Sequence, residues 1–201
     1  MSHLTTVDVG LRERKRQATH QRIADEAARL ASEKGVAATT IDEIAAAAQV
    51  GRATFFRYFD AKEVAVAEGF SLPWLQLIID NLDAQPPQLT AMEAVRETFS
   101  GFAPVLDEDG TSLVLQQARM AVASPGLQAW TLHVYVRFEK AIAASVAGRF
   151  DDLGSDDPRP LLVGALTMSA VRISLDTWLA SDGRKDLPDL LQSALRAVEV
   201  R

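Results

Sequence analysis

Apolar positions recur at helical spacing along most of this chain, and no stretch alternates convincingly in the manner of a half-buried strand. Ile23, Ala27, Leu30 and Ala31 stand at i, i+4, i+7 and i+8, which predicts one amphipathic helix over residues 12–34, closed by Gly35. A second, narrower stripe follows at Ile41, Ile44, Ala45 and Ala48. Thr40, with Glu43 three residues on, forms a capping box that starts this helix at Ile41. Val50-Gly51 interrupts the pattern, and a short third helix is expected over residues 52–59. Its Phe55 and Phe59 share one face as core anchors, while Thr54, Arg57 and Tyr58 lie mainly on the other, with Phe56 near the boundary. Asp60 and Glu63 repeat the capping spacing ahead of the next helix.

From Lys62 onward every segment reads as helix. Residues 62–69 form one, with a break or kink at Gly69 and Pro73 before residues 74–79. Thr90 with Glu93 opens another, running through Phe99 and Phe102 to a break at residues 107–110. Residues 111–122 follow, ended by Ser124-Pro125-Gly126, and then residues 127–150, an acidic loop at 151–157, residues 160–180, a break at Asp182-Gly183, and residues 187–200. The expected fold class is all-α, with about nine helices: an N-terminal three-helix helix-turn-helix domain, then a larger helical body. The expected division is a disordered arm over 1–11, a DNA-binding domain over 12–61, and the helical body over 62–201. Residues 161–179 are apolar nearly all round, through Leu161, Leu162, Leu166, Ile173 and Trp178 among others, so that helix must be buried on most sides. Its own core, a second subunit, or a mixture of both can supply the cover. We expect the mixture, with the last two helices forming much of a two-fold dimer interface.

The net charge is −6, but it is unevenly distributed: residues 1–63 carry 10 Lys/Arg and 9 Asp/Glu, and residues 64–201 carry 11 and 18. Acidity therefore belongs to the C-terminal part. Arg12, Arg14, Lys15 and Arg16 face a single Glu13 at the start of the first helix, a basic segment able to follow phosphates ahead of a helix-turn-helix. The chain has no cysteine, which excludes disulfides and thiolate chemistry. No secretory signal is visible, and the longest uncharged apolar run, residues 161–171, is too short to span a bilayer, so a cytoplasmic protein is expected, without membrane attachment. The sequence lacks Gly-x-Ser-x-Gly, a Gly-rich phosphate loop and His-Glu-x-x-His, so no enzyme, catalytic residue or cofactor is expected. His3, His20 and His133 are too scattered for a metal centre, and the Asp151–Asp157 run fits no ordered calcium loop.

Residues 12–63, and residues 40–63 above all, resemble the DNA-binding signature of TetR-family transcriptional regulators. The run Arg52-Ala-Thr-Phe-Phe-Arg-Tyr-Phe59, with a Trp- and Phe-containing apolar segment after it, also resembles the acyl-CoA-sensing and mycofactocin-type regulators of actinobacteria. The resemblance implies a homodimer on a palindromic double-stranded operator, acting as a repressor released by a small apolar effector such as a fatty acyl-CoA. It implies that Arg14 and Arg16 accompany the DNA, that Thr40 and Lys62 meet phosphate, and that Arg52, Ala53, Thr54, Phe56, Arg57 and Tyr58 face the groove. Arginine suits bidentate guanine readout, so Arg52 and Arg57 are the expected base readers. Gln49 stands where the family usually has glycine, so it must adopt a left-handed conformation or the turn must differ. Phe56 stands where tyrosine is common, without its hydroxyl. Trp74, Phe99, Phe102, Arg119, Met120, Trp130, Phe138 and Trp178 are candidates to line an effector cavity, although aromatics at helical spacing are more often plain core, and Arg119 also reads as an edge charge. Arg172 with Asp176 one turn on reads as an internal pair. Two other readings of the sequence are an activator or ligand-independent regulator of the same fold, and a helical binding protein retaining a non-functional head.

Overall fold

The computed structural model describes residues 3–198, with side chains from Gly10 onward. Among them the regular structure is helical: α1 (His3–Lys34), α2 (Ile41–Ala47), α3 (Arg52–Phe56), α4 (Lys62–Asp83), α5 (Ala91–Ser100), α6 (Glu108–Ala123), α7 (Pro125–Val146), α8 (Arg159–Ala180) and α9 (Leu187–Arg196). A 3-10 turn covers Ala147–Arg149. Two compact units divide the chain, Met1–Leu72 with Ser124–Trp130, and Pro73–Ala123 with Thr131–Arg201. The first therefore runs past the expected boundary at residue 61 and takes in the start of α7.

In the first unit, Ile23, Ala24, Ala27 and Ala31 of α1, Ile44, Ala45 and Ala48 around α2, and Phe55 and Phe59 form the buried set. These are the positions that helical periodicity marks as apolar. Helix α1 begins at His3, nine residues before the expected start at Arg12, so part of the expected disordered arm is helical. At Thr40 both halves of the capping box form: the side chain accepts from the Glu43 N–H, and the Glu43 carboxylate accepts from the Thr40 N–H. Asp60 stands two residues ahead of α4.

Helix α4 is continuous through Pro73, so of the break or kink expected there the break does not occur. A proline inside a helix removes one hydrogen bond and crowds the carbonyl four residues back. Here buried apolar residues hold the helix on both sides, Val64 to Ala67 before the proline and Ile78 and Leu82 after it.

In the second unit the box at Thr90 and Glu93 opens α5, whose Met92, Val95 and Phe99 are buried. Phe102 is buried too but lies beyond the end of α5. Helix α6 starts at Glu108, before the expected Thr111, and the Asp107 carboxylate accepts from the Gly110 N–H at 2.9 Å. Ser124-Pro125 opens α7 instead of only ending α6, since proline at a first helical position loses no internal bond. The acidic loop is answered locally: Arg159 pairs with Asp157 at 2.6 Å and with Asp152 at 2.9 Å. Arg149 donates to the carbonyls of Leu82, Gln85, Pro86 and Leu89, so one guanidinium closes the end of α4 and the loop after it.

Within the chain itself, helix α8 is covered on one side only. Val163, Gly164, Thr167, Met168, Ala170 and Trp178 are buried, but Leu161, Leu162, Leu166 and Ile173 are exposed. Gly164 permits close crossing of α7, because a Cβ there would lie 2.1 Å from the Glu139 carbonyl oxygen. Asp182 and Gly183 both take left-handed conformations, and they end α8 where the sequence places the break. Helix α9 ends at Arg196 with Ala197 as its cap, short of the expected end at Val200, which lies outside the described residues.

Candidate nucleic-acid interface

Helix α3 is placed by its apolar side. Phe55 and Phe59 are one turn apart and buried, with ring centroids 5.8 Å from each other. Between α2 and α3 the chain reverses through Gln49 at φ 53°, the left-handed conformation that an L-residue adopts at a cost. The Val50 N–H donates to the Ala45 carbonyl at 2.9 Å, and the Thr54 N–H to the Gly51 carbonyl at 2.8 Å, so the turn is closed by backbone bonds on both sides. Arg22 of α1 adds a side-chain tie, its Nε donating to the Ala48 carbonyl at 2.8 Å. His20 of α1 sits over Phe59, with centroids 4.5 Å apart, and its Nε2 lies 3.2 Å from Glu68.

Anchoring Phe55 and Phe59 inward leaves Arg52, Ala53, Phe56 and Arg57 exposed and Thr54 and Tyr58 half-buried. All six expected groove-facing residues thus reach the surface of one short helix and the turn after it. Arg52 donates to Asp42 at 2.7 Å and lies 5.5 Å from the centre of the Phe56 ring. Arg57 lies 5.8 Å from the Tyr58 ring. Arg14 and Arg16 are exposed on α1, and Arg16 is held by Glu13 at 2.8 Å.

Two residues of the expected phosphate contacts, Lys62 and Thr40, make internal hydrogen bonds. The Lys62 ammonium donates to the carbonyls of Val36 at 2.8 Å, Thr39 at 2.7 Å and Ala37 at 3.3 Å. An ammonium has three N–H donors, so this set accounts for all of them. The Thr40 hydroxyl and N–H both donate to Glu43. Lys34 also bonds Glu43, and together with Thr40 it holds that carboxyl down at about 2, well below its ordinary 4.5. The sequence reasoning did not find Asp42, Arg22 or Lys34 as parts of this surface. Their partners lie across turns, where no periodicity signals a contact.

The expected effector residues separate. Phe99, Phe102, Phe138 and Trp178 are buried side chains of the second unit, Phe99 and Phe102 packed at 5.4 Å. Trp130 belongs to the first unit, and Trp74 is half-buried in the second. Arg119 and Met120 line a wide furrow of about 630 Å³ along one face of α6, with Ser112, Leu115, Gln116 and Ala123. Arg119 is ion-paired to Asp182. Arg172 and Asp176 form the expected pair at 3.4 Å. Tyr135, half-buried near Asp176, has its hydroxyl pushed up mainly by burial.

Residues 23–68 match the family model for bacterial regulatory proteins of the TetR family, and residues 89–201 match the MftR C-terminal domain. A Mycobacterium tuberculosis protein described as "Putative mycofactocin biosynthesis transcriptional regulator MftR" is 32% identical over 172 residues, covering 84% of each chain. The HTH-type transcriptional regulator TcmR of Streptomyces glaucescens is 28% identical over 175 residues, or 84% of this chain and 76% of that one. Among solved structures, Thermus thermophilus FadR, a TetR-family transcriptional repressor in complex with lauroyl-CoA, superposes with a TM-score of 0.57 at 25% identity, covering 90% of this chain and 96% of FadR.

Proposed function

The chain belongs to the TetR family of bacterial transcriptional regulators, and from that premise we propose that it is a homodimeric repressor released from a palindromic operator by a small, largely apolar effector such as a fatty acyl-CoA. The observation that carries the DNA-binding part is α3 itself. Burial of Phe55 and Phe59 turns Arg52, Ala53 and Phe56 of α3, and Arg57 at its end, outward on an element of major-groove size.

Dimerisation is supported by α8, whose Leu162, Leu166 and Ile173 form an exposed apolar stripe at helical spacing. A two-fold partner would cover it, and would set two reading helices about one turn of DNA apart. The effector class rests on the likeness to FadR, which holds lauroyl-CoA, and on the α6 furrow. Leu115, Met120 and Ala123 give the furrow an apolar wall, and Arg119 gives it a cation that an acidic ligand group can take over from Asp182. Release requires only that the effector bind best to a conformation whose two reading helices are wrongly spaced, and it shifts the equilibrium by that difference in affinity. Such a protein works beside the chromosome in the cytoplasm, as a regulator without catalytic residues. Among the described residues no helix is long and apolar enough to cross a membrane.

The test is a gel shift on DNA flanking the protein's own gene, titrated with salt and then with long-chain acyl-CoA. A specific, salt-sensitive shift undone by acyl-CoA is the expected result. A shift indifferent to acyl-CoA discards the effector class and keeps the regulator.

A further inference from the structure

We propose that Asp42 is a positioning residue that sets DNA specificity by holding Arg52 in its reading orientation, an inference that rests on the assignment of α3 as the reading helix. Asp42 is the second residue of α2 and Arg52 the first of α3, on opposite sides of the turn. The Asp42 Oδ1 accepts from Arg52 Nη1 at 2.7 Å, and the Phe56 ring lies 5.5 Å from the same guanidinium carbon. One carboxylate and one ring thus fix a side chain that is otherwise long and freely rotating. The bond to Asp42 uses one of the five N–H groups of the guanidinium, leaving an edge to meet a base.

Both members are solvent-exposed, Arg52 to 58% and Asp42 to 70% of the side chain. A pair so exposed adds little to folding stability. Its effect falls on DNA binding, in two opposing ways. A carboxylate beside the duplex repels phosphate, and this penalty is the same for every sequence. Holding the arginine fork in place reduces the freedom lost on binding, and that gain is realised only where a guanine edge meets the fork. Asp42 thereby weakens non-specific binding and favours the cognate sequence, so the ratio of the two affinities is the quantity it controls.

The experiment compares wild type, Asp42→Asn, Arg52→Ala and the double variant. The probes are the duplex that wild type selects from a random library, and a scrambled duplex of equal length and composition. Asparagine keeps the shape of the side chain and leaves the Thr40–Glu43 box in place. Asp42→Asn is expected to lower the selected-to-scrambled ratio about tenfold and to raise affinity for the scrambled duplex. In the Arg52→Ala background the same change should leave the ratio unaltered. An unchanged ratio in Asp42→Asn, or equal loss with and without Arg52, overturns the proposal while leaving α3 as the reader. Arg52→Ala with the wild-type ratio removes Arg52 as a reader, and this proposal with it.

Discussion

Gly69 of α4 lies directly against the carbonyl of Ala24 in α1: a Cβ on Gly69 would stand 2.1 Å from that oxygen and 2.7 Å from the Ala28 Cβ. Gly69 and Ala24 both belong to the unit that carries the reading helix, and the separation of their backbones is set by the missing side chain. Gly69→Ala gains helix propensity, yet must push two backbones apart. It should destabilise the unit by about 1–3 kcal/mol, read as a lowered urea midpoint. A midpoint at or above wild type would mean that α1 and α4 do not meet this closely in solution.

Lys62 separates two roles that its position near the reader makes easy to confuse. Its donors go to Val36, Ala37 and Thr39, the segment that delivers Thr40 to the start of α2. Lys62→Met should therefore weaken operator binding and lower the melting temperature together. The dependence of log K on log salt should keep its wild-type slope. A phosphate clamp would behave otherwise, losing about 0.9 from that slope.

Acid should loosen the start of α2. The Glu43 carboxyl, bonded to Lys34 and Thr40, is lowered from 4.5 to about 2. Because the folded value lies below the unfolded one, its stabilising contribution is full above 4.5 and lost as pH falls towards 2. Urea midpoints of wild type and Glu43→Gln should thus differ most near neutrality and converge through that window. A difference constant with pH would place the contribution of Glu43 in packing instead of charge.

The parts of this fold legible in the sequence are those set by local chemistry. Thr40 with Glu43 and Thr90 with Glu93 sit three residues apart, so each box needs nothing beyond its own helix start. Gln49 in place of the usual glycine left two readings, a left-handed residue or a different turn, and its φ of 53° is the left-handed one. Proline misled, since Ser124-Pro125 reads as the end of one helix yet opens the next, and Pro73 lies inside a continuous α4 with buried residues on both sides of it. The outward face of α3 followed from burying Phe55 and Phe59. What decides the chemistry of that face was not legible: the Asp42–Arg52 bond and the three carbonyls on Lys62 join residues across turns. Aromatic residues carried no mark distinguishing cavity wall from core, and Phe99, Phe138 and Trp178 proved to be buried.

The most direct test of the account is operator affinity of Arg52→Ala and Arg57→Ala, measured on the duplex that wild type selects from a random library and at several salt concentrations. Each change should cost about 1–3 kcal/mol and relax specificity at one position of each half-site. Full affinity and unaltered specificity in both variants would contradict the assignment of α3 as the helix that reads DNA.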